Sequence, residues 1–271
     1  MKYPFRLLCA CIVLSITGCS ASQNNNVNSL LWMQSSAEYR SVSIQVYSSA
    51  LKQVDEALRD NTWTAAKEQA GNCSSLPPAV VMDIDETVLD NSRYMGRSVL
   101  EGNDWDPITW DAWVARCEAE AIAGSVEFVG EMQRRNVQVI FITNRACMKR
   151  QGSTDPCPQE TDTAENLAKA GITGVSPENL FLAGEKQGWG SEKKSRREEV
   201  AKKYRIIMLF GDDLGDFLPG VKAGITPEER KVLVEGNREN WGRRWFMLPN
   251  PTYGSWLNIL HEPKTQYIKN Y

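Results

Sequence analysis

The fold is decided by one stretch, Val80-Val81-Met82-Asp83-Ile84-Asp85-Glu86-Thr87-Val88-Leu89. Its apolar start is too short for a helix and ends in two aspartates, Asp83 and Asp85, so it predicts a buried strand that carries carboxylates at its C-terminal end. In an open α/β sheet, ligands bind beyond that end. Because the two carboxylates repel each other, a divalent cation with oxygen ligands is expected between them. Asp83 and Asp85 are therefore predicted to form a Mg²⁺ site.

An Asp-x-Asp pair alone is also common in turns and helix caps. The assignment of a metal site therefore also depends on the strands predicted further along the chain. Further strands are predicted at residues 137–142, 179–182, 205–210 and 245–248. The first ends in Thr143-Asn144-Arg145, and the third leads into Gly211-Asp212-Asp213-Leu214-Gly215-Asp216. The predicted fold class is α/β, with a Rossmann-like parallel sheet whose C-terminal edge collects these polar groups.

Length and composition favour one main domain. The chain has 271 residues, of which 42% are hydrophobic and 24% charged, enough for one sizeable α/β core. The formal net charge is −3, and it becomes more negative when the basic residues of the leader are removed. This balance argues against a nucleic-acid polymer as a partner.

The N-terminus predicts export and lipidation. Lys2 and Arg6 precede an apolar segment, residues 7–16, that is too short to span a bilayer. Small residues then precede Cys19, an arrangement that resembles a bacterial lipoprotein signal with a lipidated cysteine. We therefore predict a signal peptide at residues 1–18 and a polar, Asn-rich tether at 19–29. An ordinary cleaved secretory signal is the alternative.

Four cysteines follow the predicted lipidation site Cys19 in the chain: Cys73, Cys117, Cys147 and Cys157. In an exported chain they predict two disulfides, and three connectivities are possible. We favour Cys147–Cys157 with Cys73–Cys117, because Cys147 and Cys157 bracket a loop that contains Pro and Gly. A zinc site is disfavoured, since there is no Cys-x-x-Cys spacing and no histidine nearby.

In two further segments, the apolar residues recur at the spacing expected of a helix. Residues 30–58 predict one long amphipathic helix, or a broken pair, that packs against the sheet. After the aspartate-bearing strand, residues 91–125 are rich in tryptophan, and helical spacing is strongest over 109–121. Aromatic residues at helical spacing are usually core residues, so Trp113 is interpreted as core. Trp110 is kept as a candidate substrate contact.

Taken together, these motifs resemble the haloacid-dehalogenase superfamily and, within it, the class C bacterial acid phosphatases. The resemblance rests on a first motif Asp-Ile-Asp-Glu-Thr-Val-Leu-Asp-Asn-Ser at 83–92, on Ile-Thr-Asn-Arg, on the Lys-x-Ser-Arg-Arg segment at 193–197, on Gly-Asp-Asp-Leu-Gly-Asp-Phe and on Leu-Pro-Asn-Pro-Thr-Tyr-Gly. It covers about residues 30–260. It implies a single phosphatase domain at 30–271 with a small, mainly helical cap inserted at about 91–125.

The resemblance also implies a mechanism. Asp83 would attack phosphorus and become an aspartyl-phosphate, while Asp85 would protonate the leaving alkoxide and later deprotonate water. Mg²⁺ would be held by the Asp83 carboxylate, the Asp85 main-chain carbonyl and Asp212. Asp216 would orient the metal's water shell or the motif lysine, Lys193.

Further roles follow by the same resemblance. Thr143 would bind a phosphoryl oxygen, and Asn144 and Arg145 would contact the substrate. The motif lysine is expected at Lys193 rather than Lys194, with its ammonium pointing inward. The other charged groups of that run are expected to face solvent.

The class C enzymes include outer-membrane lipoproteins that act as 5′-nucleotidases. The resemblance therefore implies a Mg²⁺-dependent acid phosphatase in the bacterial cell envelope that hydrolyses phosphomonoesters, with nucleoside 5′-monophosphates as substrates. Trp110 and Tyr253 would sandwich the nucleobase. A phosphotransferase with the same motifs, or a surface ligand-binding lipoprotein with incidental activity, stays open as an alternative. Histidine phosphatases are excluded, since the chain has a single histidine, His261.

Overall fold

The structure is a computed structural model that describes residues 26–271. The predicted signal peptide, the predicted lipidation site Cys19 and most of the predicted tether lie outside these residues. Among the helices of the described part, none has the length and apolar content needed to cross a bilayer.

Nine helices and seven strands are named here in chain order over residues 26–271. They are α1 Val27–Ser35, α2 Ala37–Arg59, β1 Pro78–Met82, β2 Leu89–Asp90, α3 Ser92–Glu101, α4 Pro107–Val114, β3 Glu120–Ala121, α5 Ser125–Arg134, β4 Gln138–Ala146, α6 Pro158–Lys169, β5 Leu180–Ala183, α7 Lys194–Ala201, β6 Arg205–Gly211, α8 Pro227–Glu235, β7 Trp245–Met247 and α9 Ser255–Asn258.

A five-stranded parallel sheet forms the centre, in the order β5-β4-β1-β6-β7. The central strand β1 and its neighbour β6 are buried on both faces, which explains why they are continuous apolar runs rather than alternating ones. Val80 and Met82 face one core cluster, and Ala79 and Val81 face the other. The predicted α/β class and parallel sheet are confirmed.

The register of the sheet fixes where the site lies. Met82, the last residue of β1, pairs with Phe141 of β4 and with Phe210 of β6. The residues that follow these three therefore lie at one edge of the sheet. This is the edge at which the sequence predicted the polar groups to collect.

The N-terminal segment is a pair of helices rather than one long helix. α1 ends at Ser35 and α2 begins at Ala37, with Ser36 in extended conformation between them. Ser36 caps α2, since its hydroxyl accepts a hydrogen bond from the backbone N–H of Tyr39 at 3.0 Å. α2 buries Tyr47, Ala50 and Val54 in the core, so the pair packs on the sheet domain.

The segment between β1 and α5 contains α3 and α4, framed by the antiparallel pair of β2 and β3. The predicted helix over 109–121 was wrong at its C-terminal end, because α4 ends at Val114 and residues 120–121 are extended. Cys117 takes a φ of 52°, a left-handed conformation that an α-helix cannot continue through. The chain turns there and returns as β3.

The cysteines agree with the prediction for one pair only. Cys147 and Cys157 form a disulfide that closes the loop between β4 and α6. The predicted Cys73–Cys117 bond was wrong, since both cysteines are buried and neither forms a disulfide within the described part of the chain. Cys73 lies in the loop that leads into β1, whereas Cys117 lies in the insertion beyond the other end of that strand. The Cys117 sulfur instead lies 3.2 Å from the carbonyl oxygen of Asp162 in α6.

Candidate active site

Three carboxylates meet at the C-terminal edge of the sheet. Asp83 follows β1, Asp212 follows β6, and Asp216 ends the 3₁₀ turn after it. One oxygen from each lies within 4.8 Å of the others. The backbone N–H of Asp83 donates to the carbonyl of Phe210 at 3.0 Å, which continues the pairing of β1 with β6 to the C-terminal edge of the sheet.

Lys193 joins two of these carboxylates. Its ammonium contacts Asp83 Oδ1 and lies 2.7 Å from Asp216 Oδ1, with the side chain 3% exposed. Lys194, in contrast, is exposed and lies 3.6 Å from Glu198 on the same helix. The lysine that points inward is therefore Lys193.

The electrostatics reflect clustered negative charge away from water. Desolvation raises the pKa of Asp83 to about 6; the Lys193 charge opposes this rise, and Asp216 and Asp85 add to it. Desolvation, followed by the charges of Asp83 and Asp216, likewise raises the pKa of Asp212 well above its usual range. Burial alone would lower the pKa of Lys193, but Asp216 and Asp83 outweigh it and hold the pKa above its ordinary value.

The donor set fits a hard divalent cation. Three carboxylates face one ammonium, so a further positive charge would offset their repulsion. Oxygen donors without sulfur or imidazole suit Mg²⁺-like or Ca²⁺-like ions rather than zinc. The Asp85 carboxylate is not part of this cluster, so it can contribute a ligand only through its main chain.

Close packing under the cluster depends on Gly211. A Cβ atom added there would lie 2.2 Å from Asp216 Oδ2, so any other residue would displace that carboxylate. The role of Gly211 is therefore to allow the Asp216 side chain to approach the backbone closely. Asp213 points away from the cluster: its carboxylate accepts hydrogen bonds from Gly215 and Ser255, which makes it structural.

Asp85 is held by a separate group of donors. Arg145 Nη2 and Nε lie 2.8 and 3.0 Å from Asp85 Oδ1, and Asn91 Nδ2 lies 2.9 Å from the same oxygen. The Thr143 hydroxyl donates to Asp85 Oδ2 at 3.3 Å. The Arg145 side chain is 1% exposed. The predicted substrate contact Arg145 is therefore engaged with Asp85.

Asn144 is exposed at the site edge, and its side-chain oxygen accepts a hydrogen bond of 2.8 Å from Arg196 Nη2. Arg196 is fully buried and also donates to the Thr143 carbonyl and to the Gly190 carbonyl. Arg196 therefore links residues near the C-terminal end of β4 to the loop before α7 by hydrogen bonds. From the sequence, Arg196 was expected to face solvent with the other charged residues of its segment. The one signal for an inward-pointing side chain was its position three residues after Lys193.

The two candidate aromatic contacts are both half-buried. Trp110 lies on α4 and meets the ring of Tyr94 edge-on, with centroids 5.1 Å apart. Tyr253 lies in the loop after β7, and its backbone N–H faces the side-chain oxygen of Asn250 at 3.4 Å. Asn250 Nδ2 in turn donates to Asp212 Oδ2 at 2.8 Å, so the Tyr253 loop is anchored to the carboxylate cluster.

Asn91, Trp113 and Asn250 were not assigned to the site from the sequence. Asn91 closes the first motif, and its amide bonds both Asp85 and Trp113. Asn250 stands between two prolines, which was the available signal for a fixed loop amide. Trp113 does pack against the core, as interpreted, but its indole N–H is used at the site.

Comparison with known proteins agrees with this geometry. The family model described as "HAD superfamily, subfamily IIIB (Acid phosphatase)" matches residues 13–256. The chain belongs to this subfamily. Two structures of the class C acid phosphatase from Bacillus anthracis are similar to this acid phosphatase chain, at 28% identity and TM-score 0.74, and at 27% identity and TM-score 0.76 with tungstate bound. Each match covers 92% of this chain, and 98% and 99% of the Bacillus chains.

A plant protein shows a more partial similarity. Acid phosphatase 1 of Solanum lycopersicum is 25% identical over 177 residues, which is 64% of this chain and 57% of the tomato protein. The subfamily and the Bacillus structures place this chain among the class C acid phosphatases, which are phosphomonoesterases. The predicted haloacid-dehalogenase fold and enzyme class are confirmed.

Proposed function

We propose that this acid phosphatase hydrolyses nucleoside 5′-monophosphates with Mg²⁺ through an aspartyl-phosphate intermediate. The observation that carries the proposal is the contact of one buried ammonium, on Lys193, with both Asp83 and Asp216 beside Asp212. This arrangement supplies a carboxylate nucleophile and positive charge at one point. An acid–base group, Asp85, lies two residues further along the chain than Asp83.

In the first half-reaction, the Asp83 carboxylate attacks phosphorus, and the bond from phosphorus to the ester oxygen breaks. Asp85 gives its proton to that oxygen, so the leaving group departs as an alcohol. Lys193 stabilises negative charge on the phosphoryl oxygens and orients Asp83. Thr143, near the C-terminal end of β4, would turn its hydroxyl from Asp85 Oδ2 to the same oxygens when the substrate binds.

In the second half-reaction, Asp85 takes a proton from water as the water oxygen attacks phosphorus. The bond from phosphorus to Asp83 breaks, and inorganic phosphate and the free carboxylate are released. When bound by Asp83, Asp212 and the Asp85 main-chain carbonyl, Mg²⁺ supplies charge that stabilises the phosphoryl oxygens. Asp216 keeps Lys193 in place through its 2.7 Å contact.

Nucleotide selection is assigned to Trp110 and Tyr253. Both rings are half-buried, one on a helix of the insertion and one on a loop anchored to Asp212 through Asn250. Aromatic faces on two different elements suit a nucleobase between them. We assign the insertion at 91–125 the role of the cap that determines the substrate.

Location is part of the proposal. The leader ending before Cys19 supports a lipid-anchored protein of the bacterial cell envelope, held at the outer membrane. The domain from residue 30 onward would then act on small phosphomonoesters near the membrane surface, with residues 19–29 as a tether.

Product analysis tests the reaction. The purified chain is incubated with a nucleoside 5′-monophosphate and Mg²⁺ in the presence of an added alcohol, and nucleoside, inorganic phosphate and alkyl phosphate are quantified. Equal amounts of nucleoside and inorganic phosphate are expected. Alkyl phosphate in place of inorganic phosphate would instead identify a phosphotransferase. Absence of turnover on the nucleotide, with turnover on other esters, would reject the substrate assignment alone.

A further inference from the structure

The two oxygens of the Asp85 carboxylate have unequal surroundings. Oδ1 accepts three short N–H hydrogen bonds, from Arg145 Nη2 at 2.8 Å, from Asn91 Nδ2 at 2.9 Å and from Arg145 Nε at 3.0 Å. Among residues 26–271, Oδ2 has only longer contacts, of 3.3 Å, with the Thr143 hydroxyl and with Arg145 Nε. Oδ1 is therefore saturated with donors, and a proton on it would face other hydrogens.

The orientation of the Asn91 amide is imposed by its own neighbours. Asn91 is fully buried, and its backbone N–H donates to Glu86 Oε1 at 2.7 Å. Its side-chain oxygen accepts a hydrogen bond of 2.8 Å from the indole nitrogen of Trp113. An indole nitrogen can only donate, so the amide oxygen must face Trp113, and the amide N–H must face Asp85.

Trp113 brings the insertion into this network. It lies on α4, the same helix that carries Asp111, and Arg150 from the disulfide-closed loop holds that helix by two hydrogen bonds of 2.8 and 2.9 Å. A continuous chain of contacts thus runs from the insertion through Trp113 and Asn91 to Asp85. Every step in it is a direct hydrogen bond between polar atoms or a covalent link along one helix.

We propose that Asn91 and Trp113 are positioning residues that lock Oδ1 of Asp85 and leave Oδ2 as the oxygen that exchanges protons during the reaction. The inference rests on the proposed acid–base role of Asp85. In the first half-reaction the Oδ2 proton passes to the ester oxygen as its bond to phosphorus breaks, and Asp85 becomes an anion whose charge is held at Oδ1 by Arg145 and Asn91. In the second, Oδ2 accepts a proton from water.

The dependence of kcat/KM on the leaving group distinguishes a positioning role from a purely structural one, because a structural fault would affect all leaving groups alike. An alkyl phosphate leaves as a strongly basic alkoxide and needs the proton, whereas p-nitrophenyl phosphate leaves as a stable phenolate and needs it little. kcat/KM reports the steps up to the transfer of phosphorus to Asp83. A fault in proton delivery therefore lowers kcat/KM for the alkyl ester selectively.

The test compares Trp113→Phe and Asn91→Ser with the unmodified enzyme on both esters. Trp113→Phe keeps an aromatic ring but removes the indole N–H together with some ring volume. Trp105→Phe serves as the matched control for the same exchange, because Trp105 is 59% exposed in the same insertion. We expect both positioning variants to lose about tenfold or more in kcat/KM on the alkyl ester and less than about threefold on the aryl ester. Trp105→Phe should leave both values unchanged.

Losses of equal size on the two esters, or no loss on either, in Trp113→Phe and Asn91→Ser would overturn the proposal. If one variant fails to fold, the other decides by the same criterion. Asp85→Asn is run alongside and should show the same selectivity more strongly. Normal hydrolysis of the alkyl ester by Asp85→Asn would instead refute the acid–base role itself, so the two failures are distinguishable.

Discussion

The guanidinium of Arg150 forms two hydrogen bonds with the carboxylate of Asp111, from Nε at 2.8 Å and from Nη2 at 2.9 Å. Nη2 also donates to Asp162 in α6 at 2.8 Å. Asp111 lies on a helix of the insertion, whereas Arg150 lies in the loop that the disulfide closes. The pair therefore fastens the insertion to the sheet domain next to the active site.

Loss of the interaction between Arg150 and Asp111 should lower the stability of the fold by an amount that depends on pH. Arg150→Met should lower the free energy of unfolding by about 1–2 kcal/mol near neutral pH, since charge-assisted hydrogen bonds to a partly buried carboxylate are lost. Hydrogen bonds from Arg150 and Gln159 hold the pKa of Asp111 below its ordinary value. Because the folded pKa is depressed, the stabilisation is present above the unfolded pKa of about 4 and is lost as pH falls through the folded pKa.

Thermal unfolding at several pH values checks this prediction. The difference in Tm between the unmodified protein and Arg150→Met should be constant from about pH 7 to about pH 5 and shrink at lower pH. Lys231→Met is the control, because Lys231 is exposed and lies 3.7 Å from Glu228. A Tm for Arg150→Met equal to that of the control at neutral pH would show that the pair does not stabilise the insertion.

Activity should require a hard divalent cation. Chelation with EDTA should abolish turnover, and Mg²⁺ should restore it, because Asp83, Asp212 and Asp216 offer only oxygen ligands. Mg²⁺ at about one hundred times its Kd should also stabilise the fold by about 2.7 kcal/mol. Asp212→Asn should weaken that stabilisation. Full activity in metal-free buffer would contradict the prediction, whatever the effect of Mg²⁺ on Tm.

The paired aspartates should differ in what their loss removes. Asp83→Asn should abolish turnover, because the nucleophile is gone. Asp85→Asn should retain binding of inorganic phosphate while kcat on an alkyl ester falls by about 100-fold or more, because its main-chain carbonyl is unchanged. Calorimetric titration with phosphate and steady-state kinetics measure the two effects, with Asp104→Asn, an exposed side chain of the insertion, as control. Near-normal turnover in either variant would overturn the roles given to these residues.

The sheet and its catalytic edge were predictable because their signals are local. A short apolar run that ends in a charged group describes both a buried strand and the position where it stops, as at Asp83. The strand end predicted before Thr143 was wrong, because β4 continues to Ala146. The parallel order then brings such ends together without further information. Which lysine is buried was harder to predict from the sequence. Lys193 and Lys194 differ only in the direction of their side chains, and this direction depends on where α7 begins.

Contacts between distant segments were not predictable in the same way. Pairing Cys73 with Cys117 was wrong because chain order does not give the distance between the two ends of β1. The spacing of Trp113 indicated a face that packs inward, but not that its N–H would meet Asn91. The helix over 109–121 was extended too far, because the left-handed backbone at Cys117 has no signature in a non-glycine residue.

Membrane attachment should depend on one residue near the N-terminus. Cys19→Ser in the full chain should move the protein from the membrane fraction to the soluble fraction, since the described helices contain no candidate span. Cys73→Ser is a suitable control, because that free cysteine is buried in the domain. Fractionation followed by an activity assay measures the change. Continued membrane association of Cys19→Ser would refute lipidation as the anchor.

Nucleotide preference should depend on Trp110 and Tyr253. Base stacking is worth about 1–3 kcal/mol per base, so Trp110→Ala or Tyr253→Ala should lower kcat/KM for a nucleoside 5′-monophosphate roughly 5- to 150-fold. The same variants should barely change kcat/KM for a small aliphatic phosphate, which has no ring to stack. Trp105→Ala, at an exposed position of the insertion, should change neither value.

The competing explanation is that the two rings only pack the fold. Trp110 does touch Tyr94, so its removal also opens a gap beside α3, and Tm must be measured with the kinetics. Packing alone predicts a lower Tm with equal losses on both substrates. Stacking predicts a loss confined to the nucleotide, whatever the change in Tm. Parallel losses in both variants would therefore remove the support that these residues give to the nucleotide assignment, while leaving the phosphatase chemistry at Asp83 intact.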